Sequence, residues 1–424
     1  MDIKHQHAIS AGAVALSLLL AGISQPAAAS GFQLIEQSVS GMGTAYAGGS
    51  AQAQDATTVF FNPAGMTRLK GSHGSLGLHV ISPHADYNEL GSTPTISPLG
   101  TNESGDAGVL KVVPNLYLTN EIGDKLYLGL GINAPFGLAT SYDDDWIGRY
   151  HAIDSEVTTI NVNPSLAWKL SDTFSIGAGF NVQYIKADLS QALDTGGVDG
   201  LLELEGDDVA LGWNLGILAE LSEGSRIGVH YRSKVTYEVD GTADFTGVPF
   251  PDAGATADVV LPATLSVSLY HEFTPEWAVM FDYSRTYWHV LKELRFKFEI
   301  PGFPDGVTTL NWEDSNRYSL GLQYSPASSP WVFRIGTAYD ETPIPNARYR
   351  TPRIPGEDRI WLALGLGYQA SKNLSFDFGY AHLFVDDPKI NKSAADAENA
   401  TRGLLNGDYE ASVDIASIQV NWSF

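Results

Sequence analysis

The sequence predicts an all-β fold: a transmembrane antiparallel β-barrel of about fourteen strands, preceded by an N-terminal plug of short helices. Three observations carry that prediction: an export signal at the start, apolar residues at every second position through most of the chain, and turn signals that recur about every 50 residues.

The export signal spans residues 1–29. Lys4 with His5 and His7 forms a basic head, Ala8 to Ala21 an apolar stretch, and Ala27-Ala28-Ala29 a small-residue cleavage site, so the mature chain is expected to begin at Ser30. Ser10, Gly12 and Ser17 interrupt the stretch, which falls short of the roughly 20 apolar residues a helical crossing needs. No later segment offers a long uninterrupted apolar run, and the mean hydropathy is -0.07, which excludes a helical membrane protein.

Alternation defines the strands. Ile360, Leu362, Leu364, Leu366 and Tyr368 alternate with Arg359, Trp361, Ala363, Gly365 and Gly367. Leu374, Phe376, Phe378 and Tyr380 repeat the scheme against Ser375, Asp377 and Gly379, and Trp277, Val279, Phe281 and Tyr283 face away from Met280, Asp282 and Ser284. Each such strand has one apolar face and one small or polar face. Short turn signals lie near residues 122, 172, 223, 275, 327 and 372, and long polar connections fill the intervals. Short turns at one end and long loops at the other are the asymmetry of outer-membrane barrels. Six turns join twelve strands; strands at about 74–88 and 408–424 complete the barrel, placed at residues 72–424, with both ends periplasmic.

A soluble β-sandwich also alternates, but aromatic residues gather near these strand ends, as they do at a membrane interface. The last strand alternates Ala416, Ile418, Val420, Trp422 and Phe424 with polar residues, and a terminal Phe424 resembles the signal read by barrel-assembly machinery.

Residues 30–71 do not alternate. Glycines, alanines and serines suggest short helices and turns, and Pro63 forbids a central strand there. Phe32, Leu34, Ile35, Phe60, Phe61 and Met66 are too apolar for a free tail, so this segment reads as a plug inside the lumen.

Composition narrows the function. With no cysteine in 424 residues there are no disulfides, thiolate nucleophiles or cysteine-bound metals, and no cofactor or metal site is expected. A formal charge of -24 argues against nucleic acid. Acidic runs such as Asp143-Asp144-Asp145 and Glu203 to Asp208 read as solvated loops, with divalent-cation binding among lipopolysaccharide as the alternative. His230, His271, His289 and His382 are scattered without a serine motif, so an enzyme is not expected.

The ordered set Ser30-Gly31-Phe32-Gln33-Leu34, Ser40-Gly41-Met42-Gly43-Thr44-Ala45-Tyr46-Ala47-Gly48, Asn62-Pro63-Ala64, Gly137-Leu138-Ala139-Thr140, Trp213-Asn214-Leu215-Gly216, Tyr231-Arg232-Ser233, Leu261-Pro262 and Asp358-Arg359 resembles the long-chain fatty acid transporter family of outer-membrane proteins. The likeness runs through essentially the whole mature chain. It implies a fourteen-strand barrel with an N-terminal hatch, no energy-coupling motif, and a ligand passed from external loops to a pocket beside the hatch and then sideways through a kinked third strand.

Residues can be set against that scheme. In the third strand, Leu126, Leu128, Leu130 and Ile132 run into Asn133-Ala134-Pro135-Phe136-Gly137. Pro135 offers no N–H and Gly137 no packing side chain, so the ladder should break there, about 30 Å along the strand and roughly 20 Å up at a 45° tilt. The alternative is that Pro135 simply opens the external loop. The resemblance implies ligand contacts at Phe32 and Leu189, with Asn62, Pro63 and Ala64 as gate or hatch residues. Basic partners for a carboxylate are expected at Lys186 or Arg317, because the positions around Ser190-Gln191 are uncharged; that departure leaves room for a neutral ligand. A further cluster, Arg348, Arg350, Arg353 and Arg359, could attract carboxylates or lipopolysaccharide phosphates, or merely be solvated.

The leading expectation is therefore a monomer in contact with outer-membrane lipid and lipopolysaccharide that carries long-chain fatty acids passively. The alternatives are uptake of alkanes or aromatic hydrocarbons, a polar-solute porin, and an outer-membrane lipid enzyme.

Overall fold

The computed structural model describes residues 31–424; the export signal expected at residues 1–29 lies outside the described residues. The wall is a closed antiparallel barrel of fourteen strands, three of them interrupted. In chain order these are β1 (Ser72–Glu89), β2 (Lys111–Glu121), a third strand split into β3 (Leu126–Asn133) and β4 (Gly137–Ser141), β5 (Asp154–Lys169), β6 (Phe174–Leu193) and β7 (Gly200–Ser222). A split seventh strand follows, β8 (Ser225–Arg232) with β9 (Val235–Thr246), then a split eighth, β10 (Ala253–Leu261) with β11 (Thr264–Thr274), and then β12 (Trp277–Thr286). An external hairpin, β13 (Glu293–Phe298) and β14 (Gly306–Thr309), precedes β15 (Ser315–Tyr324), β16 (Trp331–Asp340), β17 (Arg359–Ser371) and β18 (Leu374–Val385). The short external β19 (Lys389–Lys392) leads to β20 (Leu405–Ser423), which closes the ring against β1 from His73↔Ser423 to Glu89↔Gly407.

The turns at 122–125, 170–173, 223–224, 275–276, 325–330 and 372–373 fall where the sequence places them, all at one rim. Alternation also sets the faces. Leu362, Leu364, Phe281, Leu320, Leu322, Ile418 and their counterparts on the other strands are exposed, while Trp361, Met280, Asp282, Arg317 and Gln419 on the intervening positions are buried inside. So wide an apolar band would aggregate in water; in a bilayer it is the lipid-facing surface. Closure matters for the same reason, because lipid offers no partner to an unpaired backbone group.

Inside the ring sit α1 (Val39–Met42), α2 (Gly49–Gln52), α3 (Thr58–Phe61) and a 3-10 turn at Pro63–Arg68. These pieces are too short to be stable alone. The wall holds them through polar bonds: Val39 N–H donates to Gln419 Oε1 at 2.9 Å, Ser50 N–H to Ser268 Oγ at 2.8 Å, and Arg226 Nε to the Ala51 carbonyl at 3.0 Å. Polar groups on the inward face of these strands thus bond plug backbone.

The Asn62-Pro63-Ala64 motif is the firmest of these attachments. Asn62 Oδ1 accepts from Ala64 N–H at 3.0 Å and so caps the 3-10 turn, while Nδ2 donates to the Ser50 carbonyl at 2.7 Å and to the Ile217 carbonyl of β7 at 2.9 Å. Gly216 makes the approach possible, since a Cβ there would overlap Asn62 Oδ1. Asn62→Ala removes three hydrogen bonds from a buried site and is expected to weaken plug docking by about 3 kcal/mol. Limited proteolysis of the purified barrel checks this: new cleavage between residues 50 and 70 is expected, with the heat-modifiable mobility of the barrel retained.

Candidate functional site

The third strand breaks at residues 134–136, as Pro135 dictates. Pairing with β5 continues across the break but slips by one residue, from Asn133↔Asn161 to Gly137↔Thr158, which is a bulge. On the other side, β3 pairs with β2 only over 116–121, and contact resumes at the isolated Gly108↔Thr140 bridge. The upper part of β2 therefore lacks a ladder partner on this side, and the wall has a gap.

The start of the plug lies along the inner side of that gap. Leu34 N–H donates to the Pro135 carbonyl at 2.9 Å, Gly137 N–H donates to the Phe32 carbonyl at 3.0 Å, and Gln33 bridges Phe136. Gln37 Nε2 adds a 2.7 Å bond to the Ala134 carbonyl. A Cβ on Gly137 would sit 2.9 Å from Leu34 Cδ1, so glycine is what allows the plug to come this close. Sequence reasoning identified the break but not its partner, because a bond between residues about a hundred positions apart leaves no local pattern.

Phe32 belongs to an aromatic cage. Its ring lies 5.9 Å from Phe136, 5.1 Å from Trp288 and 6.0 Å from Trp312, and the two indoles are 4.9 Å apart. Both indole N–H groups are buried with no acceptor. Residues Gln33 and Leu34 separate two cavities. One, of about 1070 Å³, lies beside the break and is lined by Leu138, Leu383 and Val413 among others. The second lies deeper, between Ile35, Tyr46, Phe60 and Phe61 of the plug and Arg232, Asp282, Arg317 and Asp340 of the wall.

Arg317 is the notable group in the deeper cavity. It is buried, its Nη2 donates to the Ala45 carbonyl at 3.0 Å, and its guanidinium stands 5.0 Å from the Trp361 ring. Nε and Nη1 make no hydrogen bond, and Asp340 lies 3.8 Å from Nε, itself bonded to Arg359 at 3.0 Å and Trp361 Nε1 at 3.3 Å. Buried donors without partners are costly, and an anionic oxygen in the cavity would satisfy them. Arg232, which the sequence reading did not single out for this role, lines the same cavity; it bonds Asn181 Oδ1 at 2.6 Å and the Phe60 carbonyl at 3.2 Å, both neutral.

Other expected ligand contacts are placed elsewhere. Lys186 shares the outward parity of Phe180 and Val182, and its ammonium is tied to Asp188 at 3.1 Å and Glu205 at 2.9 Å, so it does not reach the lumen. Leu189 points inward and is buried opposite Ser155 and Leu204, but lines neither cavity. The four clustered arginines diverge: Arg348 pairs with Asp396, Arg350 with Glu357, Arg353 with neutral acceptors and Arg359 with Asp340. Among the described residues no group of three or more His, Asp or Glu is arranged to hold a metal ion, the Asp143-Asp144-Asp145 run included.

A third space opens outside. External residues Phe245, Phe298 and Phe303 meet edge-to-face or tilted, with centroids 5.3 to 5.9 Å apart, and line a groove rimmed by Arg295, Arg348 and Arg402. The molecule thus offers an apolar surface in contact with water, an apolar cavity at a wall gap, and an interior cavity with an unsatisfied cation.

Comparisons with known proteins agree with this architecture. Residues 20–424 match the family model described as "Outer membrane protein transport protein (OMPP1/FadL/TodX)". A "Long-chain fatty acid transport protein" of Escherichia coli O6:H1 is 33% identical, over 89% of this chain and 92% of its own length. Among solved structures, a Pseudomonas aeruginosa FadL homologue superposes with a TM-score of 0.84 at 25% identity, covering 93% of this chain and 100% of its own. The toluene transporter TodX of Pseudomonas putida shares the fold, with a TM-score of 0.70 at 17% identity over 91% of this chain and 97% of its own. The chain is an outer-membrane β-barrel and belongs to the OMPP1/FadL/TodX family of transport proteins.

Proposed function

We propose that the chain carries long-chain fatty acids inward across the outer membrane by passive diffusion through hydrophobic sites, with lateral release through the gap at the third strand. The observation that carries this reading is Arg317: a buried guanidinium with two unpartnered donors, facing a cavity walled by plug side chains. A carboxylate fits those donors, and an acyl tail fits the surrounding apolar surface. Burial contributes about 0.8 kcal/mol per methylene, enough to drive capture from water without an energy source. The name of the Escherichia coli relative supports the same cargo class. Phe32 would line the route next to the break, and Asn62, Pro63 and Ala64 would anchor the hatch while residues 32–37 move away from residues 134–137.

A second reading, uptake of neutral aromatic or aliphatic hydrocarbons, is favoured by the cage of Phe32, Phe136, Trp288 and Trp312, whose ring faces would pack against an apolar guest. Uptake by a deletion strain carrying this gene decides between the two. Gene-dependent accumulation of labelled oleate is expected; dependence for toluene or hexadecane alone would replace the first reading with the second.

The terminal residue supports a proposal about assembly. Phe424 is 77% exposed, at the rim of the seam, with its N–H donated to the Ser72 carbonyl at 3.0 Å. Its ring contributes little to packing, which suits a signal read by barrel-assembly machinery. Deleting Phe424 is expected to reduce the folded, heat-modifiable species in outer-membrane fractions several-fold; an unchanged amount would count against the proposal.

A further inference from the structure

The inner side of the wall carries a level row of polar residues across four strands. His230 of β8 stands opposite Ser266 of β11, Ser266 opposite Ser284 of β12, and Ser284 opposite Arg317 of β15. All four line the deeper cavity, across from Ile35, Phe60 and Phe61 of the plug. Neighbouring strands lie about 4.8 Å apart, so three steps separate the ends of the row by roughly 14 Å along the wall. The wall curves and both end residues reach inward, which brings their polar atoms to within roughly 10–14 Å of each other.

The middle of the row is already satisfied, and its two ends are not. Asp282 accepts from Ser266 Oγ at 2.8 Å, from Ser284 Oγ at 2.5 Å and from Ser268, so the serine hydroxyls are engaged and a negative charge stands between the ends. At the Arg317 end, Nε and Nη1 lack partners, and so does the hydroxyl of Tyr46, whose ring centre lies 5.8 Å from the guanidinium. At the other end, His230 is 6% exposed, lines the cavity, and has no hydrogen bond at Nε2. Arg232, two residues further on the same face, gives its donors to Asn181 and the Phe60 carbonyl.

A carboxylate is repelled by Asp282 and held by Arg317, so an acyl chain bound there extends along the row toward His230. A plain methylene arriving at Nε2 shuts that nitrogen off from any partner, which is costly in a buried place. A hydroxyl does the opposite. It both donates and accepts, so it matches Nε2 in either ring tautomer, and it reproduces the bond of any water it displaces. An extended chain of roughly 1.5 Å bonds advances about 1.3 Å per carbon, so a span of roughly 10–14 Å puts the hydroxyl on about carbons 9 to 12. We propose that His230 is a second ligand-binding residue of the interior cavity, and that the site prefers long-chain acids hydroxylated near the middle of the chain. The assignment rests on the fatty-acid reading and names the kind of acid.

The test is equilibrium binding of stearate, 3-hydroxystearate and 10-hydroxystearate to the purified protein. The unaltered chain is expected to bind 10-hydroxystearate about tenfold more tightly than stearate, which corresponds to about 1.4 kcal/mol for one hydrogen bond completed. It should bind 3-hydroxystearate no better than stearate, because a hydroxyl beside the carboxylate does not reach His230. In His230→Phe, which keeps a flat ring without nitrogen, the preference for 10-hydroxystearate over stearate is expected to vanish; in His230→Gln, which restores a donor and an acceptor, it is expected to persist in part. Equal affinity of the unaltered chain for stearate and 10-hydroxystearate, an equal gain with 3-hydroxystearate, or a preference that survives His230→Phe would each overturn the assignment. The three ligands decide the matter on the unaltered chain even where a variant does not fold. Failure of the unaltered chain to bind any of them would instead remove the fatty-acid reading, and the assignment with it.

Discussion

Replacing Arg317 with methionine is expected to lower the affinity of the purified protein for oleate by about 10- to 150-fold, corresponding to about 1.5–3 kcal/mol for hydrogen bonds to a charged group. Oleyl alcohol should bind with nearly unaltered affinity, because the apolar walls of the cavity remain. The prediction depends on Nε and Nη1 being free to receive a ligand, with Asp340 already engaged by Arg359 and Trp361. Methionine also removes the two buried donors that make no hydrogen bond, so thermal stability without ligand should be maintained or raised. Equilibrium binding of the two labelled ligands gives the answer. Equal affinity of the variant and the original for oleate would remove Arg317 from the proposed mechanism.

The second large effect is expected at the wall. Changing Pro135 and Gly137 together to valine restores an N–H to the strand and places a side chain where Leu34 now sits, its Cβ 2.9 Å from Leu34 Cδ1. Regular pairing should then extend upward from β3 to β4, and residues 32–34 should lose their seat. Oleate uptake is expected to drop to the level of cells without the gene, while the barrel keeps its heat-modifiable mobility and its amount in the outer membrane. Uptake at the original rate from a normally assembled barrel would refute lateral release through this gap.

Much of the fold was legible because a membrane barrel repeats one rule. Lipid selects apolar residues at alternate positions, and six tight turns at one rim leave short Asn, Asp, Ser and Pro clusters in the chain. The breaks in the seventh and eighth strands, around Ser233-Lys234 and Pro262-Ala263, were not anticipated, since neither disturbs the alternation for long. The external β13 and β14 were missed for a different reason: loop hairpins face no lipid and obey no such rule.

The site was harder to read. Parity alone places Arg317 inside, next to the outward Tyr318, and the same test applied to Lys186 places it outside with Val182. Alternation says which side of the wall a residue occupies, but not which residues of opposite walls meet. Trp288, Trp312 and Arg232 come to the plug from distant strands and loops, and only the closed ring brings them together. The bonds from Leu34 and Gln37 to the break belong to the same class.

The attachment of the plug to the wall constrains how the molecule is made. Residues 38–68 are bonded to β6, β7, β8, β11 and β20, so their partners are spread around the circumference, and the last of them, β20, lies at the far end of the chain from the plug. A finished ring would have to be pried apart to admit such a segment. The expected order of assembly is that the leading forty residues lie within the sheet before the β1 to β20 seam closes around them. Defects in the plug should thus surface as stalled insertion intermediates before they surface as lost transport.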